Sequence, residues 1–157
     1  MLSVSNLSVQ FGKRILFDDV NTKFQTGNCY GIIGANGAGK TTLLKTLNRS
    51  LPTASGEILL NERNLDEVSR TEIAKNIAVV AQENETKFPV TVLEFVLAGR
   101  FVHGSVFGWE TESDLSKAKE CLKICELEEY QERLMNELSG GERQRVLLAR
   151  AIATEAR

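Results

Sequence analysis

Apolar residues at Leu2, Val4, Leu7, Val9 and Phe11 open the chain. From Leu7 onward they alternate with polar positions, which is the period of a half-buried strand. Gly12-Lys13 predicts a turn, and Ile15 to Phe24 a second, less regular extended stretch. Gly27-Asn28 predicts another turn, leading into Cys29-Tyr30-Gly31-Ile32-Ile33. That run is apolar on both faces, as strands of covered parallel sheets are. A glycine-rich turn, Gly34 to Gly39, separates it from Thr41-Thr42-Leu43-Leu44-Lys45-Thr46-Leu47, a helical pattern. Pro52 and Gly56 interrupt the chain before a strand at Glu57-Ile58-Leu59-Leu60, and Ile77-Ala78-Val79-Val80-Ala81 predicts a second covered strand ending at Gln82.

Three segments open with a hydroxyl residue followed three positions on by glutamate: Ser69 and Glu72, Thr91 and Glu94, Ser139 and Glu142. In such a box the hydroxyl accepts from a free first-turn N–H, while the carboxylate reaches back to the cap's own N–H. Helices are predicted to begin at all three. From Leu115 the apolar set Leu115, Ala118, Cys121, Leu122 and Cys125 falls on one helical face, with Lys117, Lys119 and Glu120 outside it. No internal repeat or low-complexity segment is present.

Composition narrows the class. A chain of 157 residues with 42% apolar content has the size of one globular domain. Nineteen basic residues against 21 acidic ones argue against a general nucleic-acid or anionic-membrane binder. Cys29, Cys121 and Cys125 are odd in number and unevenly spaced, which predicts reduced thiols rather than a disulfide framework. No basic-then-apolar leader is expected, and no apolar run approaches the roughly 18 residues of a membrane span. The region from Glu110 to Glu142 is acidic and reads as a solvated helical face.

Gly34-Ala35-Asn36-Gly37-Ala38-Gly39-Lys40-Thr41 matches G-x-x-x-x-G-K-[ST] in full, between a predicted strand and a predicted helix. Its glycines permit the backbone angles that turn consecutive N–H groups inward, and the helix N-terminus adds partial positive charge. Lys40 supplies a point charge for β- and γ-phosphates, and the Thr41 hydroxyl a ligand for Mg²⁺. A nucleoside triphosphate is the implied ligand.

The motif Leu138-Ser139-Gly140-Gly141-Glu142-Arg143-Gln144-Arg145 caps a helix with glycines, a second anion-competent N-terminus or else an ordinary capping box. Leu138 to Gln144 resembles the signature of ABC-type ATPases, at the family's distance of about a hundred residues from the P-loop. The resemblance spans the whole chain. It implies an α/β P-loop cassette with an N-terminal antiparallel β subdomain, an inserted helical subdomain and an incomplete core sheet. The implied division is 1–82, 83–138 and 139–157, all within one partial ATPase domain. It also implies a head-to-tail dimer sandwiching two ATP molecules, with Ser139, Gly140, Gly141 and Glu142 of one subunit facing the γ-phosphate held by another. ATP would be held by Asn36, Gly37, Ala38, Gly39, Lys40, Thr41 and Thr42, and Mg²⁺ by Thr41 and Gln82. Lys40, Gln82 and Ser139 form the implied catalytic set.

Gln82 matches the glutamine that in the family reaches the Mg²⁺ and water region; on its own it also reads as a solvated strand end. Phe11 stands where the family stacks an aromatic ring on adenine, and otherwise reads as core. Gly99-Arg100-Phe101-Val102-His103 is similar to the Gly-Arg-x-x-His stretch of siderophore, haem and cobalamin importers, although His103 also suits a plain surface loop. Cys121 and Cys125 read as core thiols and Trp109 as a packing or partner residue.

In the family, a strand ending in the Mg²⁺-binding aspartate, the catalytic glutamate and the switch histidine follow the signature helix. They are not among these 157 residues. A soluble non-transport ABC ATPase of DNA repair or translation is the alternative, against which stand the short Lys40-to-Ser139 interval without sustained heptads and the single acidic cassette. The resemblance therefore implies an ATP-driven importer subunit, cytoplasmic and peripheral on the inner membrane face. Its partners would be an integral permease touching the 82–100 region, near Phe88-Pro89-Val90, and a second ATPase subunit, with no nucleic acid. The 157-residue stretch by itself is expected to hydrolyse little ATP.

Overall fold

The computed structural model describes residues 1–25, 28, 30–33, 35–80, 89–104 and 111–156, with Phe11 described by its backbone alone. It divides into two compact units, Met1–Ile73 and Ala74–Arg157.

In the first unit, β1 (Leu2–Phe11) and β2 (Arg14–Phe24) form a hairpin, extended by β3 (Ser55–Leu60) and the short β4 (Arg63–Asn64). The order is β2-β1-β3-β4, and every pairing is antiparallel. Val4, Leu7 and Val9 are all buried, yet Val4 and Leu7 are three residues apart and would face opposite ways on a regular strand. An irregularity between them resolves this. The β1–β2 register shifts between Val4 and Leu7, and Asn6 takes φ 52°, a bulge that returns Leu7 to the buried face.

Asparagine and aspartate tolerate that left-handed backbone because their short side chains bond locally. The Asn6 amide donates to Asn21 Oδ1 at 2.8 Å, and Asn6 Nδ2 to Asp19 Oδ1 at 3.1 Å. Asp19 is itself left-handed, at φ 51°. Helix α1 (Lys40–Leu47) buries Thr46 and Leu47. Just beyond it Arg49 donates from Nη1 to the carbonyls of Leu65 and Val68, which ties the helix end to the turn after β4. Helix α2 (Arg70–Asn76) starts where predicted, the Glu72 amide donating to Ser69 Oγ at 3.1 Å.

The second unit is helical. Helices α3 (Val92–Leu97), α4 (Glu112–Ile124) and α5 (Gly140–Ala153) surround a core that includes Val96, Ala118, Cys121, Leu122, Leu127, Met135 and Val146. A strap over residues 130–135 runs beside the start of α3, the amides of Val92 and Leu93 donating to the carbonyls of Arg133 and Gln131. Cys121 and Cys125 are buried free thiols, and burial raises the pKa of both, in keeping with inert core positions. Among the described residues no group of three or more metal-ligating side chains is assembled, and no helix is long and apolar enough to cross a membrane.

Two predicted strands are not formed. Residues 30–33 and 77–80 are irregular, with Ile33 97% exposed and Val79 and Val80 about half exposed. Their two-faced apolar pattern needs strand partners along the edges and cover on both faces, and among the described residues no strand lies alongside either segment. Cys29 and Ala81 lie outside the described residues.

Helix α4 also begins earlier than its apolar stripe indicates, at a fourth capping box built from Thr111 and Asp114. The Thr111 hydroxyl donates to Asp114 Oδ2 at 2.7 Å, and Arg100 Nε reaches Asp114 Oδ1 at 3.1 Å. These bonds, the Thr111 hydroxyl first, hold the Asp114 carboxyl below its ordinary range despite its burial. The resulting stabilisation is complete above the unfolded aspartate value of about 3.9 and is lost as pH falls through the lower folded value. Urea midpoints measured from neutral pH down to about pH 2 should therefore show a shallower acid limb for Asp114→Asn than for wild type. Superimposable acid limbs would refute the assignment.

Candidate phosphate-binding loop and capped glycine helix

The loop before α1 is shaped by two left-handed glycines, Gly37 at φ 81° and Gly39 at φ 88°. Gly39 is the N-cap of α1, and no side chain caps the helix there. A side chain at position 39 would also press on the Phe17 ring, 3.2 Å from where its Cβ would stand. The Ala38 amide closes a turn onto the Ala35 carbonyl at 3.2 Å, and the Leu43 amide makes the first helical bond, to Gly39 O. Lys40, Thr41 and Thr42 thus occupy the first turn, whose N–H groups have no intrahelical acceptor.

Lys40 Nζ donates to the Ala35 carbonyl at 3.0 Å, which holds the ammonium across the loop that it ends. Asn36, Gly37, Ala38 and Thr41 are exposed, while Gly39, Lys40 and Thr42 are half-buried. An open helix terminus with a cation beside it and no side-chain oxygen in its cap suits a phosphate chain. Thr41 offers one hydroxyl, which suits a Mg²⁺ ion held mainly by phosphate oxygens and water. Gln82 and Gly34 lie outside the described residues, as do Phe88, Trp109 and the Phe11 side chain, so the readings given to those residues concern positions beyond them.

The second motif forms the predicted box. The Glu142 amide donates to Ser139 Oγ at 3.4 Å, and the Ser139 amide to Glu142 Oε2 at 2.7 Å. Hydrogen bonds from the Ser139 hydroxyl and amide hold the Glu142 carboxyl below its usual range, helped by the Tyr130 hydroxyl and the charge of Arg133. Arg133 in turn lies over the Tyr130 ring, 4.8 Å from its centroid. Neither residue carries a sequence signal beyond its place in the acidic stretch before the box.

Gly140 and Gly141, in the first turn of α5, are exposed. Neither has a positive φ, and a Cβ on either would meet nothing within 4 Å. Glycine costs about 1 kcal/mol relative to alanine inside a helix, and nothing among the described residues requires that cost here. The bare backbone at positions 140 and 141 leaves room for a group outside the chain to approach the α5 N-terminus.

A model of the ABC transporter family matches residues 17–157. The iron(3+)-hydroxamate import ATP-binding protein of Bacillus subtilis is 38% identical over 152 residues, covering 97% of this chain and 56% of that protein. An inward-facing transporter structure, described as of metal-chelate ABC type, is 33% identical with a TM-score of 0.82, covering 98% of this chain and 56% of that one. A dimeric ATP-binding cassette in a post-hydrolysis state, bound to ADP and Pi, is 28% identical with a TM-score of 0.81, covering 99% of this chain and 71% of that one. The chain thus spans 56% of the length of the first two.

Proposed function

The chain belongs to the ABC transporter family, and from that premise we propose that it serves in an ATP-binding subunit whose two glycine-lined helix ends share one nucleotide chemistry in a head-to-tail dimer. One observation carries the reading: α1 starts without any side-chain cap, and α5, capped by Ser139, starts with two exposed glycines that nothing among the described residues requires. The loop from Asn36 to Thr42 holds the phosphates of ATP, with Lys40 neutralising charge on the β- and γ-phosphates. Ser139 and the amides of Gly140 and Gly141 approach the γ-phosphate bound by the second subunit, and Glu142 keeps the Ser139 turn in shape. When bound, Mg²⁺ offsets phosphate charge; Thr41 and Gln82 are the residues proposed to hold it. Phe11 is the proposed adenine platform.

The subunit works at the cytoplasmic face of a membrane against a permease that contacts the 82–100 region. It drives import of a metal chelate, a reading supported by what the Bacillus subtilis relative is named for. The nearly balanced charge supports no nucleic-acid role.

Within this reading the 157-residue stretch by itself binds ATP but turns it over slowly, because the metal carboxylate and the water-polarising glutamate of the family are not among its residues. Titration with a fluorescent ATP analogue, followed by phosphate release from the same sample, tests both halves. Saturable binding displaced by ATP is expected, with turnover far below about 1 s⁻¹, the low end for ordinary enzymes. Absence of saturable binding would overturn the site, and turnover near that value the catalytic claim.

A further inference from the structure

The stretch Gly99-Arg100-Phe101-Val102-His103 lies outside the residues proposed to hold nucleotide, and three of its residues converge on the far end of α5. It forms a 3₁₀ turn, Ala98–Val102, that continues directly from α3. Arg100 Nη1 donates to the Ala153 carbonyl at 2.8 Å and to Glu155 Oε2 at 2.7 Å, while its Nε reaches Asp114 Oδ1 at 3.1 Å. One guanidinium, its side chain only 11% exposed, therefore joins the last turn of α5, Glu155 two residues beyond it and the capping box of α4.

His103 Nε2 lies 2.7 Å from the Thr154 carbonyl; a carbonyl only accepts, so this nitrogen carries the proton. Gly99 completes the contact, since a Cβ there would run into the Arg150 carbonyl, 2.6 Å away. The last carbonyls of a helix lack intrahelical donors and sit at the negative end of its dipole, so a buried guanidinium and an imidazole N–H are suited to fix them. Lys117 braces the same corner through Glu155 at 3.1 Å.

Resting on the reading above, in which the N-terminus of α5 meets a nucleotide held by the other subunit, we propose that Gly99, Arg100 and His103 are positioning residues. They clamp the C-terminus of the signature helix so that its glycine end is aimed for the trans contact. The 14-residue helix is a rod about 20 Å long, so a small tilt at the clamp moves Ser139 by a distance that matters to phosphoryl transfer.

Mixed dimers of the complete subunit test this through ATP hydrolysis. In the first dimer, one subunit carries Lys40→Ala and the other Arg100→Ala, so the working P-loop faces an intact clamp. In the second, one subunit carries both substitutions and the other is wild type, so the working P-loop faces the damaged clamp. The first should retain the turnover of one normal site, and the second should show kcat about tenfold lower. Fluorescent-ATP affinity of the Arg100→Ala subunit should stay within about twofold of wild type. Misfolding caused by Arg100→Ala would abolish the first dimer as well, so equal turnover in the two dimers, or loss in the first, overturns the clamp.

His103→Ala, at an exposed side chain, should show the same contrast in milder form. His103→Gln, which keeps a donor for the Thr154 carbonyl, should restore turnover, and failure to do so would also count against the clamp. A second dimer carrying Ser139→Arg in place of Arg100→Ala separates the two levels of the argument. If Ser139→Arg acts in trans and Arg100→Ala does not, the clamp alone falls; if Ser139→Arg has no effect, the trans reading itself falls.

Discussion

Lys40→Ala is expected to weaken ATP binding by about a hundredfold while leaving the first unit folded. A hydrogen bond to a charged group contributes roughly 1.5–3 kcal/mol, or about 10- to 150-fold in affinity, and Lys40 is the charged side chain at the first helical position of α1. The ammonium bonds the Ala35 carbonyl within the loop, but the loop has other supports. Its turns are set by Gly37 and Gly39 at positive φ and by the Ala38-to-Ala35 backbone bond, so the substitution should act on the ligand rather than on the fold. Adenosine, which has no phosphates, should bind the variant and the wild type equally, and raised salt should narrow the difference for ATP. Titration of the purified chain with a fluorescent ATP analogue reads the effect directly. Unchanged ATP affinity, or equal losses for ATP and adenosine, would show that the loop does not hold phosphates.

Local chemistry was legible in the sequence wherever it is local in the fold. The boxes at Ser69, Thr91 and Ser139 each start a helix, because the cap and its partner are three residues apart and need nothing distant. The extended stretches that became β1, β2 and β3 were readable as strands, most clearly from Leu7 to Phe11, where apolar and polar positions alternate. The box at Thr111 was hidden because aspartate takes the place of glutamate, although the shorter carboxylate still reaches the Thr111 amide at 3.3 Å. Segments 30–33 and 77–80 show the opposite failure. Their apolar composition describes a fully covered environment, and a strand exists only when other strands supply it. At the site, the P-loop glycines and the Ser139 box could be read as a pattern. The convergence of Gly99, Arg100 and His103 on residues 150–155 could not, for the contacts cross about fifty positions of sequence. In the linear text they were only a resemblance built around a histidine.

The bulge in β1 was also invisible, and it leads to the largest stability effect expected in the first unit. Gly56→Ala should destabilise the fold by about 3 kcal/mol or more. Gly56 lies in β3 at φ 91°, a conformation that costs an L-residue roughly 1–2 kcal/mol. A Cβ there would also collide with the backbone of Asn6 and Leu7, at the point where β1 changes register between Ser5 and Ser8. Neither strand can yield cheaply. Asn6 is fixed by Asn21 and Asp19, and a shift of β1 would turn Val4 or Leu7 out of the core. Urea denaturation of the complete subunit, followed by a probe in the β sheet, should show a lower midpoint with the slope unchanged. Asn6→Gly relaxes the bulge residue itself and keeps the bulge, so it should cost far less than Gly56→Ala. A midpoint for Gly56→Ala within the error of wild type would mean that the two strands do not approach as closely as described, and the bulge would then lose its role in setting the register of β1.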